Sequence, residues 1–238
     1  MAYWKVMGAD SYDKFWNEVF SEILSVFEIS EAELRETFYT CASLESYRIY
    51  LQTLREWGEV DFIVNALSSF DKVSSAIISQ IDRYIKVKEC FDFGAGFGLS
   101  TMYYAKLQPE ARFFFYDKNE QFMLVFKKLC SKFNIRNVTF SEPESCIDTV
   151  LCLEVIEHTY DPTQVITKLC DLSAQYFVLS SRATAAAPGH FKSYMFNGKS
   201  VPNRRLKWTV REYLKDRGFI EMRRGWNNSY YLYEKNNV

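Results

Sequence analysis

Three glycines, at 94, 96 and 98, constrain this 238-residue chain more than any other feature of it. They stand in the segment Glu89-Cys90-Phe91-Asp92-Phe93-Gly94-Ala95-Gly96-Phe97-Gly98-Leu99-Ser100-Thr101. A short apolar run there breaks into a glycine turn and continues as a helix. That arrangement is a nucleotide-type binding device. Glycine accepts positive φ, and without a Cβ it lets a ligand approach the backbone. No Gly-Lys-Ser/Thr follows, so the segment is not a P-loop. A dinucleotide fingerprint would have its third glycine where Leu99 stands, where it permits close packing of helix on strand.

The texture around this segment sets the fold class. Residues 1–87 contain no proline and only Gly8 and Gly58, and they read as helices. Ser30 and Glu33 form a capping-box pattern ahead of Leu34, Phe38, Cys41 and Leu44. Phe62, Ile63, Leu67 and Phe70 mark a second amphipathic stretch ending before Asp71. Ile77, Ile78, Ile81 and Ile85 mark a third, over residues 74–85. From Lys88 onward, short β-rich runs alternate with helical ones. Strands are predicted at 90–93, 112–116, 138–140, 148–153, 176–180, 219–223 and 230–233, and helices at 99–106, 121–133, 163–172 and 209–217. The last two strands, joined through Trp226-Asn227-Asn228, read as an antiparallel hairpin. The expectation is an α/β, Rossmann-like, mainly parallel seven-stranded sheet with helices on both faces. Residues 1–87 form a helical cap, and 88–238 form the binding domain.

Composition narrows the class further. The formal net charge is −1, which gives the whole chain no attraction to nucleic acid or to anionic membrane. Basic residues do gather between Lys192 and Arg224. No apolar run approaches the roughly 20 residues of a membrane span. The six cysteines form no C-x-x-C pair, and Cys90 and Cys152 sit inside apolar runs. Reduced thiols in a cytoplasmic protein are expected. The N-terminus, Met-Ala-Tyr-Trp-Lys, shows no secretion-signal pattern.

The run Asp92-Phe93-Gly94-Ala95-Gly96-Phe97-Gly98 resembles the first motif of the class I S-adenosylmethionine (SAM)-dependent methyltransferases, and the resemblance covers roughly residues 85–235 in element order and spacing. It implies a cofactor cradle made by Asp92, Gly94, Gly96 and Gly98. A zwitterionic amino-acid moiety needs amides for its carboxylate and acceptors for its ammonium, and a glycine turn at a helix N-terminus supplies the amides. Phe113-Phe114-Phe115-Tyr116-Asp117 resembles the second motif, with Asp117 as acceptor for the ribose hydroxyls and Lys118 beside it. Glu142 or Glu144, after the third strand, is the candidate for the adenine amino group.

The segment Glu154-Val155-Ile156-Glu157-His158 is similar to the E-V-x-E-H stretch of small-molecule methyltransferases, which faces both cofactor and substrate. Glu154 is a cofactor candidate. His158, Glu157 and His190 are candidates for general acid–base work. E-x-x-E-H also resembles the metal-binding segment of ubiquinone-biosynthesis catechol O-methyltransferases and of small-RNA 3′-terminal 2′-O-methyltransferases. That alternative places a divalent metal on Glu154, Glu157, His158 and His190, lowering the pKa of a substrate hydroxyl. The expected reaction is methyl transfer from SAM, leaving S-adenosylhomocysteine (SAH), to oxygen or nitrogen of a small molecule. A SAM-binding but non-catalytic partner protein is the rival from another class. The loop from Ala183 to Asn203 is the expected substrate wall. Arg182, Lys192, Arg204 and Arg205 are candidates to bind an anionic substrate, and the N-terminal helices are the candidate surface for a homodimer.

Overall fold

The computed structural model describes residues 2–43, 58–181, 190–225 and 229–236. Leu44, Arg182, residues 183–189 of the expected substrate wall and the Trp226-Asn227-Asn228 connection, all singled out above, lie outside these residues.

Among the described residues the chain begins with helices α1 (Tyr3–Val6), α2 (Tyr12–Leu24), α3 (Glu31–Ser43), α4 (Glu59–Ser69) and α5 (Ser75–Ile81). Then follow β1 (Glu89–Phe93), α6 (Leu99–Leu107), β2 (Arg112–Tyr116), α7 (Glu120–Lys132), β3 (Val138–Thr139) and β4 (Ile147–Leu153). The remainder is α8 (Thr163–Leu172), β5 (Ser173–Ser180), β6 (Ser193–Phe196), β7 (Lys199–Pro202), α9 (Asn203–Asp216), β8 (Phe219–Arg224) and β9 (Tyr231–Lys235). The strands form a seven-stranded sheet in the order β3-β2-β1-β4-β5-β9-β8 and a separate β6–β7 hairpin. β3, β2, β1, β4 and β5 pair in parallel, and β9 runs antiparallel between β5 and β8.

Period-two alternation along each strand divides the core into two layers. Cys90, Phe113, Phe115, Leu151, Leu153, Val178 and Leu232 face one layer, with α6 and α7. Phe91, Phe114, Val150, Cys152, Phe177, Leu179, Tyr231 and Tyr233 face the other, with α8, α9 and the hairpin. The N-terminal helices belong to the first layer. Phe15, Trp16, Val19, Phe20 and Ile23 of α2 form a buried helical stripe continuous with it. The predicted break at Asp71 is absent. With no glycine or proline to stop it, the helix runs from α4 into α5 through a π-turn, Phe70–Ser74, in which the Ser75 amide donates to the Phe70 carbonyl. The extra residue turns Asp71 toward Tyr3 and Tyr12, whose hydroxyls donate to its two carboxylate oxygens and tie down α1 and α2. Phe62, read as part of the apolar stripe, is exposed and lies flat on Phe122 at 5.8 Å.

Two other expectations change. The predicted loop before Asn203 contains the β6–β7 hairpin, turned by Asn197 (φ 51°) and Gly198 (φ 73°). Two successive left-handed residues make the tight turn whose twist suits a two-residue hairpin. The following helix starts six residues before Thr209, because Leu206, Val210 and Leu214 form one buried stripe.

Candidate cofactor and acceptor site

The strand order reverses at β1: the chain builds outward through β2 and β3, then crosses back to β4 on the other side. Ligands of open α/β sheets bind in the crevice beyond the strand ends at such a switch. The glycine loop leaves β1 there, and Glu154–His158 leaves β4.

The three glycines all have left-handed backbones, φ 67° at Gly94, 56° at Gly96 and 68° at Gly98, yet each meets different surroundings. A Cβ on Gly94 would lie 2.8 Å from a Val155 methyl, and one on Gly98 would enter the ring of Phe126. At Gly96 nothing lies within 4 Å of that position. Gly94 and Gly98 are therefore glycines of packing, and Gly96 is the one that opens onto unfilled space. Gly98 also caps α6, whose first amides point into the loop.

Asp117, at the end of β2, is bound into the same loop. Its Oδ2 accepts the Gly96 N–H at 2.9 Å and its Oδ1 the Asn119 N–H at 2.8 Å. Each carboxylate oxygen keeps acceptor capacity beyond that one bond. Burial raises the Asp117 carboxyl above its ordinary value, against the two amides that favour its charge. Lys118 beside it is exposed.

Asp92 is 1 % exposed and accepts the Thr101 hydroxyl at 2.7 Å, joining β1 to the first turn of α6. Burial pushes its carboxyl up to about 7; the Thr101 hydroxyl opposes this and the charge of Asp117 adds to it. The native state thus holds the proton more tightly than the unfolded chain. Stability owed to the neutral form is complete below the unfolded carboxylate range and is lost as pH rises through about 7. Asp92→Asn is expected to gain stability relative to wild type between about pH 4 and pH 7, by on the order of 2 kcal/mol. Urea midpoints at both pH values check this; a difference that does not grow with pH would contradict it.

On the β4 side, Glu154 has a left-handed backbone, φ 59°, which is uncommon for a residue with a side chain. Its amide donates to the Ser180 carbonyl at 3.0 Å, and its Oε1 accepts the Ser180 hydroxyl at 2.6 Å. The sequence carried no signal for either feature. The 3₁₀ turn Ile156–His158 follows. Glu157 is buried, His158 exposed and His190 half-buried, and one ligand atom from each lies within 4.8 Å of the others. The two imidazole rings are 4.7 Å apart. Of the four residues grouped from the sequence, Glu157, His158 and His190 come together, while Glu154 stands apart on Ser180. Glu142 is half-buried and pairs with Lys168 of α8, and Glu144 is exposed.

Two arrangements are therefore present. One is a glycine cradle flanked by Asp92 and Asp117. The other is a His–His–Glu cluster across the crevice. Asp117 ends β2 and Glu154 follows β4, so two carboxylates flank the crevice, an arrangement suited to a cationic ligand. Tyr160, exposed, packs edge-on to Phe191 at 5.4 Å beside the histidines.

No family sequence profile and no curated protein sequence matches the chain; its similarity to known proteins is structural. It superposes with a TM-score of 0.55 and 11% identity on an O-methyltransferase family protein from Burkholderia thailandensis, over 81% of this chain and 62% of that one. It superposes at 0.53 and 17% identity on magnesium protoporphyrin IX methyltransferase of Synechocystis PCC 6803 with bound SAM, over 81% and 92%. A SAM-dependent methyltransferase from Aquifex aeolicus gives 0.51 and 14%, over 70% and 91%. The fold is that of the class I SAM-dependent methyltransferases. No helix among the described residues is long and apolar enough to cross a membrane.

Proposed function

We propose that this chain binds SAM in the crevice between β1 and β4 and transfers its methyl group to oxygen or nitrogen of a small molecule. The observation that carries the reading is the pairing of an open left-handed turn at Gly96 with a buried carboxylate, Asp117, bonded to that same turn. A nucleoside diol is a natural partner for the remaining acceptor capacity of Asp117. The amides at the start of α6 suit a carboxylate, and the acids of the crevice suit the ammonium and the sulfur cation. When bound, the cofactor supplies an electrophilic methyl group. The chain contributes position and exclusion of water. In this reading His158, which follows β4, serves as the base that takes the proton from the acceptor.

Incubation with methyl-labelled SAM and a fractionated extract of small molecules tests this. Label is expected in an acceptor fraction. Saturable SAM binding with no transfer to any fraction would overturn the catalytic reading in favour of a binding protein.

A second reading follows from the cluster of Glu157, His158 and His190. One carboxylate and two imidazoles at this spacing suit a borderline divalent ion. An ion held there would acidify an acceptor hydroxyl. Activity is then expected to be lost on chelation and to return with Mn²⁺ or Co²⁺. Activity unmoved by chelation would refute the metal and leave His158 as the base.

A further inference from the structure

The two histidines of this chain come from segments 32 residues apart, and their juxtaposition needs a holder. His158 ends the 3₁₀ turn after β4, closed by its amide on the Val155 carbonyl at 3.0 Å. His190 precedes the β6–β7 hairpin. Tyr194, on β6, is completely buried in the layer beneath α9. Its hydroxyl donates to the Glu157 carbonyl at 2.9 Å and accepts the Phe191 amide at 3.2 Å. A phenol has one proton and spare lone pairs, so one oxygen serves both bonds. One of them reaches the residue before His158, and the other the residue after His190.

We propose that Tyr194 is a positioning residue that clamps the His190 segment onto the His158 turn, so that the two imidazoles and Glu157 face one another. The proposal deepens the acceptor-site reading given above and rests on it for its metal readout only. The rest of the hairpin has its own attachments. The Met195 amide donates to the Tyr160 carbonyl at 2.9 Å, and the Asn197 amide to the Thr163 hydroxyl at 2.7 Å. Asn203 holds the far side, its Nδ2 donating to the Phe191 carbonyl at 2.8 Å. Loss of the Tyr194 hydroxyl therefore cuts the link from the His190 segment to the His158 turn, while Asn203 still holds the Phe191 and Lys192 carbonyls and the hairpin stays docked. A purely structural tyrosine would act on stability and leave the histidine geometry alone.

The presence of only two histidines makes the test specific. Protein labelled in its histidines gives two imidazole signals by NMR. In wild type, a ring-to-ring nuclear Overhauser contact is expected without metal, and Co²⁺ is expected to shift both signals together. In Tyr194→Phe, which keeps the ring, the ring-to-ring contact is expected to weaken. Co²⁺ affinity should fall at least tenfold, with SAH affinity within about twofold of wild type. Asn203→Ala, which loosens Phe191 from the opposite side and leaves the buried ring intact, should weaken the contact in the same direction. If Co²⁺ moves neither signal in wild type, the metal reading fails, and the ring-to-ring contact alone decides the role of Tyr194. A contact that persists at full intensity in Tyr194→Phe overturns the proposal.

Discussion

Asp117→Ala is expected to weaken SAM and SAH binding by about 10- to 100-fold. The carboxylate is a charged acceptor bonded directly to the open turn at Gly96. Two ribose hydroxyls donating to an ionised acceptor make charge-assisted bonds, and together their net contribution is about 1.5–3 kcal/mol. The substitution also removes the acceptor for the Gly96 and Asn119 amides, so part of the loss comes from a looser turn. Stability should change much less than affinity. Burial already disfavours the ionised carboxylate, and removing it relieves that cost as it removes two hydrogen bonds. Equilibrium dialysis with labelled SAM, set beside a urea melt, separates the two effects. Unchanged affinity would remove Asp117 from the cofactor site.

The second large effect divides two glycines that look equivalent in the sequence. Gly98→Ala drives a methyl group into the ring of Phe126, which is fully buried, at a left-handed backbone position. Overpacking and the backbone penalty together are expected to cost about 3 kcal/mol. For a chain of this size that lowers the melting temperature by roughly 6–12 °C. Gly96→Ala meets no neighbour and has only the backbone penalty, about 1–2 kcal/mol. Its new methyl group, however, stands where the cofactor is proposed to lie. Its affinity for SAH should fall by about tenfold or more, as one overpacked methyl group costs about 1–3 kcal/mol, while its melting temperature falls less than that of Gly98→Ala. Differential scanning fluorimetry with and without SAH measures both. The reverse pattern, with Gly96→Ala the less stable and Gly98→Ala the poorer binder, would show that the ligand lies elsewhere.

The contrast between these glycines also marks what the sequence could convey. The strand–turn–helix over Glu89–Leu107 was legible because local rules dictate it: an apolar alternating run, glycines where φ must be positive, then a helix. β2 and α8 fell within their predicted bounds for the same reason. Which glycine faces a ligand was not legible, because Val155 and Phe126 reach the loop from β4 and α7. The Asn197-Gly198 turn was a hairpin signal in plain view, hidden by reading the basic stretch around it as loop. Asp71 shows the opposite case. A charged residue in an apolar pattern suggested a break, and the helix instead absorbed it as a π-turn because two distant tyrosines bind it. At the acceptor side, Glu157, His158 and His190 are legible as residue types, but the clamp that assembles them depends on one buried hydroxyl from a strand inside the predicted loop.

The claim on which the rest depends is that the β1–β4 crevice holds SAM, and titration calorimetry of the wild-type chain with SAH tests it most directly. The expected result is saturable heat at one site per chain, reduced about tenfold or more in affinity by Gly96→Ala. Absence of heat at millimolar SAH from a protein that melts cooperatively, or equal affinity in Gly96→Ala, would contradict it.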